Sequence, residues 1–88
     1  MPAPYHPPLK YSVVLHGHRT SVSLEPLFWE MLTHAAAMRG LSINALVARI
    51  DAERIRAAAP PGLASAIRVW LVTNQKGGGI ASAALPGE

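Results

Sequence analysis

The sequence predicts a mostly α-helical fold with one short strand per subunit. Three observations lead there. The stretch HRTSVSLEP, His18 to Pro26, alternates: Arg19, Ser21 and Ser23 share one parity, and Thr20, Val22 and Leu24 the other. At Pro26 the alternation stops and a helical spacing takes over, interrupted once by Gly40-Leu41-Ser42. A third apolar stripe, Leu63, Ile67, Trp70 and Leu71, recurs at i, i+4, i+7 and i+8 after a proline break.

The ends bound the packable part. The chain has 88 residues, enough for one domain, with 8 prolines and 7 glycines crowded toward its termini. MPAPYHPP reads as a polyproline-like arm, and NQKGGGIASAALPGE as a small-residue tail. The organisation expected is a flexible proline-rich arm over 1–9, a folded domain over 10–74 and a flexible tail over 75–88. A core of that size is marginal alone, and oligomerisation is a common remedy.

Within the domain, Tyr11 to Leu15 is a short β-prone run followed by Gly17. It either forms a hairpin with the strand at 19–24, turning at His16-Gly17, or continues it as one interrupted extended segment. The first helix starts at Pro26, whose missing N–H costs nothing in a first turn. Glu25 stands before it as a candidate cap that complements the helix dipole. Phe28, Leu32, Ala35 and Ala36 give the stripe, with Met31 beside them, and Arg39-Gly40 closes the helix. Ser42 is the N-cap expected for a second helix with Ile43, Leu46, Val47 and Ile50 on its apolar face. Asp51, Glu53, Arg54 and Arg56 suggest a solvated outer end with possible ion pairs, and AAAPPG, 57–62, stops the helix. In the third helix, Leu63 to Thr73, Val69 and Val72 widen the stripe, which predicts cover on more than one side.

Composition removes several function classes. There is no cysteine, so disulfides and thiol chemistry are absent, which fits a cytoplasmic location. MPAPYHPPLK lacks the charged and apolar regions of a secretion signal. No run approaches the ~18 apolar residues that span a bilayer, so no membrane partner is expected. A formal net charge of +3 permits a polyanionic partner without requiring one. No carboxylate pair, Ser/His/Asp set or cofactor fingerprint stands out, so neither an enzyme nor a cofactor is expected. NQKGGG lacks the GxxxxGK[ST] order of a phosphate loop. His16 and His18 lie two apart on an extended segment, but His6 and His34 are remote and no third metal ligand stands nearby.

RTSVSLEP, then FWEML with Ala35-Ala36, then Arg39-Gly-Leu-Ser-Ile-Asn-Ala-Leu-Val47 resemble the ribbon-helix-helix family of bacterial DNA-binding proteins, of which the Arc, MetJ and CopG repressors are members. With SAIRVWL added, the run is similar to a small bacterial ribbon-helix-helix family with a C-terminal helical extension. The resemblance implies a homodimer in which the strand pairs antiparallel with its copy to form a two-stranded ribbon. One ribbon face then lies on the helices and the other enters the DNA major groove, which is wide enough for it. On this basis Arg19, Ser21 and Ser23 are the expected base contacts. Ser42, Ile43 and Asn44, at the N-terminus of the second helix, are the expected phosphate contacts, with His18 a further one. Val22, Leu24, Phe28, Leu32, Leu46, Val47 and Ile50 are the expected dimer core. Adjacent dimers on neighbouring half-sites are a further expectation.

The resemblance thus implies sequence-specific binding of double-stranded DNA by a transcriptional regulator. The alternative is an antitoxin-like or adaptor module on the same fold, holding a protein partner through its third helix and binding DNA weakly or not at all. One arginine and two serines are also what the solvent face of an ordinary strand carries, and this sparseness keeps the alternative in view.

Overall fold

The structure is a computed structural model and describes residues 5–74. Residues 1–4 of the expected arm and the expected tail, 75–88, lie outside the described residues. Five elements follow in order: β1, Leu9–Leu15; β2, His18–Leu24; α1, Pro26–Met38; α2, Ile43–Arg54; and α3, Leu63–Thr73. Strand, proline-started helix, glycine turn and second helix make a ribbon-helix-helix chain, with α3 as the additional C-terminal helix.

The chain carries two strands, not the one expected. β1 and β2 pair antiparallel within the same chain, from Leu9 opposite Leu24 to Leu15 opposite His18. The hairpin alternative at His16-Gly17 is therefore the one realised. Both turn residues have positive φ, 53° and 79°, as a two-residue type I′ turn requires. That turn matches the right-handed strand twist and closes the smallest loop available, so β1 reaches β2 at low entropic cost. Val13 and Val14 are adjacent valines, which blurs the β1 alternation in the sequence.

The hairpin lays Val13, Val22 and Leu24 on the helices, where all three are buried. They meet Leu32 and Ala36 of α1, Leu46, Val47 and Ile50 of α2, and Ile67 and Leu71 of α3 in one apolar cluster. Six of the seven residues expected in a dimer core are thus already removed from water within one chain. The seventh, Phe28, packs half-buried against the cluster under the Arg68 guanidinium, 5.8 Å from its ring centroid. Tyr11 of β1 stacks flat on Trp29 of α1, centroids 4.1 Å apart and planes within 3°. Each such aromatic pair adds about 0.5–1.5 kcal/mol beyond its buried area.

Local chemistry explains the helix ends. Pro26 opens α1, and the Trp29 amide makes the first helical bond to the Glu25 carbonyl at 3.1 Å. The Glu25 side chain does not cap α1 as expected. Its carboxylate instead accepts from Arg68 Nε of α3 at 2.9 Å, tying the start of α1 to α3. That hydrogen bond holds the Glu25 carboxyl below its ordinary pKa. At the other end the Gly40 amide bonds the Ala37 carbonyl and the Leu41 amide bonds the Ala36 carbonyl, with Gly40 at φ 67°. This is a Schellman cap, and it needs a left-handed residue at that position. Arg39 lays its guanidinium over Trp70, 4.8 Å from the ring centroid.

α2 starts at Ser42, whose Oγ accepts from the Ala45 amide at 3.0 Å. It ends at Arg54, ahead of the prolines. α3 is less enclosed than its wide stripe predicts. Ile67 and Leu71 are buried, but Val69 is 59% exposed, because the other elements pack on one side of α3 only.

Candidate nucleic-acid interface

The hairpin has two faces because side chains alternate across a strand. Tyr11 and Val13 of β1, with Thr20, Val22 and Leu24 of β2, share the helix-facing parity. Arg19, Ser21 and Ser23 share the other, as expected, and all three are exposed. The cross-strand register brings three β1 residues to the same outer face: Lys10 opposite Ser23, Ser12 opposite Ser21, and Val14 opposite Arg19. Sequence reasoning missed these three. Their signal is the KYSVV parity together with the turn at His16-Gly17, from which the register follows once the hairpin is accepted. The outer face of one chain therefore holds two cations, Lys10 and Arg19, three serines and a valine.

Register also identifies which backbone groups are unpaired. In a hairpin with a two-residue turn, Leu15 and His18 form the closing hydrogen-bonded pair, and every second pair after it is hydrogen-bonded. The alternate residues, Lys10, Ser12 and Val14 on β1 and Arg19, Ser21 and Ser23 on β2, turn their N–H and C=O outward. On the β1 edge, the Val14 amide donates to Asn44 Oδ1 at 3.0 Å, so α2 covers part of that edge. On the β2 edge, the outward groups of Arg19, Ser21 and Ser23 make no hydrogen bond among the described residues. A strand edge left open in this way is a template for pairing.

The structure places Ser42, Ile43 and Asn44 together at the α2 N-terminus, beside β1. Ser42 Oγ is occupied as the cap, while the first intrahelical amide bond comes from Leu46 to the Ser42 carbonyl. The Ile43 and Asn44 amides thus remain free donors among the described residues, at the positive end of the helix dipole. Asn44 has a second task that its sequence does not announce, since its side-chain oxygen braces β1. His18 is not brought to the outer face. It sits on the helix-facing parity at the turn end, opposite Leu15, and is exposed there.

The hairpin tip is anchored by a buried acid at what the sequence suggests is a solvated helix end. Asp51 on α2 is 4% exposed. Its Oδ2 lies 3.3 Å from His16 Nε2, and its Oδ1 accepts from Arg54 Nε at 2.9 Å. Arg54 Nη1 also donates to the Pro61 carbonyl at 3.0 Å, so one carboxylate links the hairpin turn, α2 and the α2–α3 connection. Burial by itself pushes the Asp51 carboxyl up. The hydrogen bonds from Arg54 and His16 and their charges outweigh it, and the net shift is down. His16 is thus turned toward Asp51, and no group of three or more His, Cys, Asp or Glu side chains forms a metal cluster among the described residues.

Between α1 and α3 runs a groove of about 590 Å³, floored by Met31, Ala35, Trp70 and Leu71 and edged by Glu30, His34 and Arg39. No helix among the described residues is long and apolar enough to cross a membrane.

A family model described as a ribbon-helix-helix domain matches residues 8–75. The match spans β1 through α3, most of the chain, and the chain belongs to the ribbon-helix-helix family. Proteins of this family are typically non-enzymatic, bind DNA and usually do so as dimers. No match to the chain was found among curated proteins or among solved structures.

Proposed function

We propose that this protein is a homodimer that binds double-stranded DNA sequence-specifically and acts as a transcriptional regulator in the bacterial cytoplasm. The single observation that carries the reading is the β2 strand. Its outer parity aligns Arg19, Ser21 and Ser23 on a solvent face, and its free edge offers the same three residues' backbone groups to a second copy. Pairing β2 with β2 of the partner satisfies those groups and doubles the polar face. Arg19 then reaches guanine O6 and N7, and the short serines let the ribbon approach the base edges. The free amides of Ile43 and Asn44, with Ser42, serve as phosphate donors at the flanks. Lys10 on the same face relieves the scarcity of positive charge that the β2 sequence alone suggests.

The adaptor reading draws on α3 and the α1–α3 groove. α3 gives Ile67 and Leu71 to the chain's own core and leaves Val69 as its large exposed apolar residue.

Selection of bound duplexes from a random DNA pool, followed by fluorescence anisotropy on the selected site, tests the proposal. An enriched site bound in a salt-dependent way supports it. Arg19→Ala is expected to cost about 1–3 kcal/mol of discrimination against base changes at the arginine's position. Failure to bind any duplex at low salt, or an Arg19→Ala variant with unchanged preference, would sink it.

A further inference from the structure

We infer that β1 is a second, sequence-independent DNA contact, in which Lys10 grips the phosphate backbone at the rim of the groove that β2 enters. The inference rests on the DNA-binding reading above and adds a role for a strand which that reading leaves idle.

The first step is the register of the dimer. The open β2 edge turns the backbone groups of Arg19, Ser21 and Ser23 outward. An antiparallel pairing centred on Ser21 uses all three, joining Ser21 to its copy and Arg19 to the partner's Ser23 position. A shift of two residues strands one set, and a shift of one flips the outer face onto the helices. The result is a four-stranded sheet with β1 on each outside. Its outer face has a central row of four serines, Ser12 and Ser21 from each chain. On either side lies a row containing Lys10, Ser23, the arginine at position 19 of the second copy and its valine at position 14.

The second step is width. Strands in a sheet lie about 4.8 Å apart, so each β2 sits about 2.4 Å from the two-fold axis and each β1 about 7 Å from it. The major groove is about 12 Å wide, so its walls stand about 6 Å from its centre. The two β2 strands fit between the walls, and the two β1 strands lie over them. Arg19, Ser21 and Ser23 therefore face base edges, while the outer face of β1 meets sugar and phosphate. Lys10 is exposed on that face, and a flexible ammonium is suited to a phosphate oxygen as a point charge. The hydrogen bond from the Val14 amide to Asn44 keeps β1 against the α2 N-terminus, which aligns Lys10 and the free Ile43 and Asn44 amides along the same rim.

Two measurements test this. The chain has no cysteine, so single cysteines report cleanly with a thiol cross-linker about 5 Å long. Ser21→Cys should cross-link into a dimer, because residues in a directly opposed pair lie about 5.5 Å apart. Ser12→Cys should not, because three strand spacings, about 14 Å, separate the two copies. The reverse pattern would overturn the strand order.

The second measurement is anisotropy titration of wild type, Lys10→Ala and Lys10→Arg against the selected duplex and a random one over a range of salt. Lys10→Ala should make the slope of log K on log salt shallower by about 1.8 per dimer, two phosphates at about 0.9 each. It should weaken both duplexes by the same factor and leave their ratio unchanged, and Lys10→Arg should restore the slope. An unchanged slope, or a changed ratio, in a wild type that binds DNA would overturn the role of Lys10 alone. A wild type that binds neither duplex would overturn the DNA reading and this inference with it.

Discussion

Removing the Asp51 carboxylate should loosen the hairpin tip, with an effect that depends on pH. The Asp51 side chain is 6% exposed, and its two partners are unequal: Arg54 is 26% exposed and His16 is 66% exposed. Truncating one member of a fully buried ion pair costs about 3–5 kcal/mol. Here Arg54 keeps the Pro61 carbonyl and His16 returns to water, so Asp51→Ala should cost nearer 2 kcal/mol, roughly the net worth of one charged hydrogen bond. For a domain of this size that lowers Tm by roughly 10 °C. The pH dependence follows from the direction of the shift. The folded carboxyl lies below its unfolded value of about 3.9, so between the two values the unfolded chain binds more protons. Its stabilisation is therefore complete above that pH and disappears as pH falls through the folded pKa. Glu25 is shifted the same way, so the comparison must be with Asp51→Asn, which keeps the shape and one acceptor oxygen but cannot titrate. Urea unfolding from pH 6 to pH 2.5 should show wild type converging on Asp51→Asn as the pH falls. Parallel curves across that range would refute the assignment of a folded-state charge to Asp51.

Leu32 is fully buried in the core cluster, so Leu32→Ala should cost about 3 kcal/mol, read as a lower urea midpoint at unchanged m-value. Gly40→Ala has no steric clash to relieve but must hold φ 67°, which should cost about 1–2 kcal/mol in the same assay. Asn44→Ala removes the bond to Val14, and hydrogen exchange should show the Val14 amide losing protection while the α2 interior keeps its own. If that amide is unprotected in wild type, Asn44 does not brace β1.

Much of the helical frame was legible because its signals are local. Pro26, Ser42 and Gly40 act on backbone groups within one turn of themselves, so their roles do not depend on the rest of the fold. Parity is equally local: Arg19, Ser21 and Ser23 face away from Val22 and Leu24 in any strand, whatever it pairs with. What local signals do not show depends on distant partners. The sequence neighbours of Glu25 invite it to cap α1, but Arg68, 43 residues away, offers a charged partner instead. His18, an expected phosphate contact, stands with Thr20 on the helix-facing parity and is exposed at the turn end. Asn44 keeps its place at the α2 N-terminus, but nothing near it in sequence points to its bond with Val14.

The sequence by itself determined where α1 and α2 begin, which residues line the core and which β2 residues face out. Tertiary structure decided what β2 pairs with. A strand has two edges, and its side-chain pattern describes faces without saying which edge is filled. The type I′ turn at His16-Gly17 gives one edge to β1, which carries Lys10 and Ser12 onto the outer face and leaves the other edge open among the described residues. Asp51, expected at a solvated helix end, is buried for the same reason: His16 and the Pro61 carbonyl that holds Arg54 arrive only when the hairpin and the α2–α3 connection close over α2.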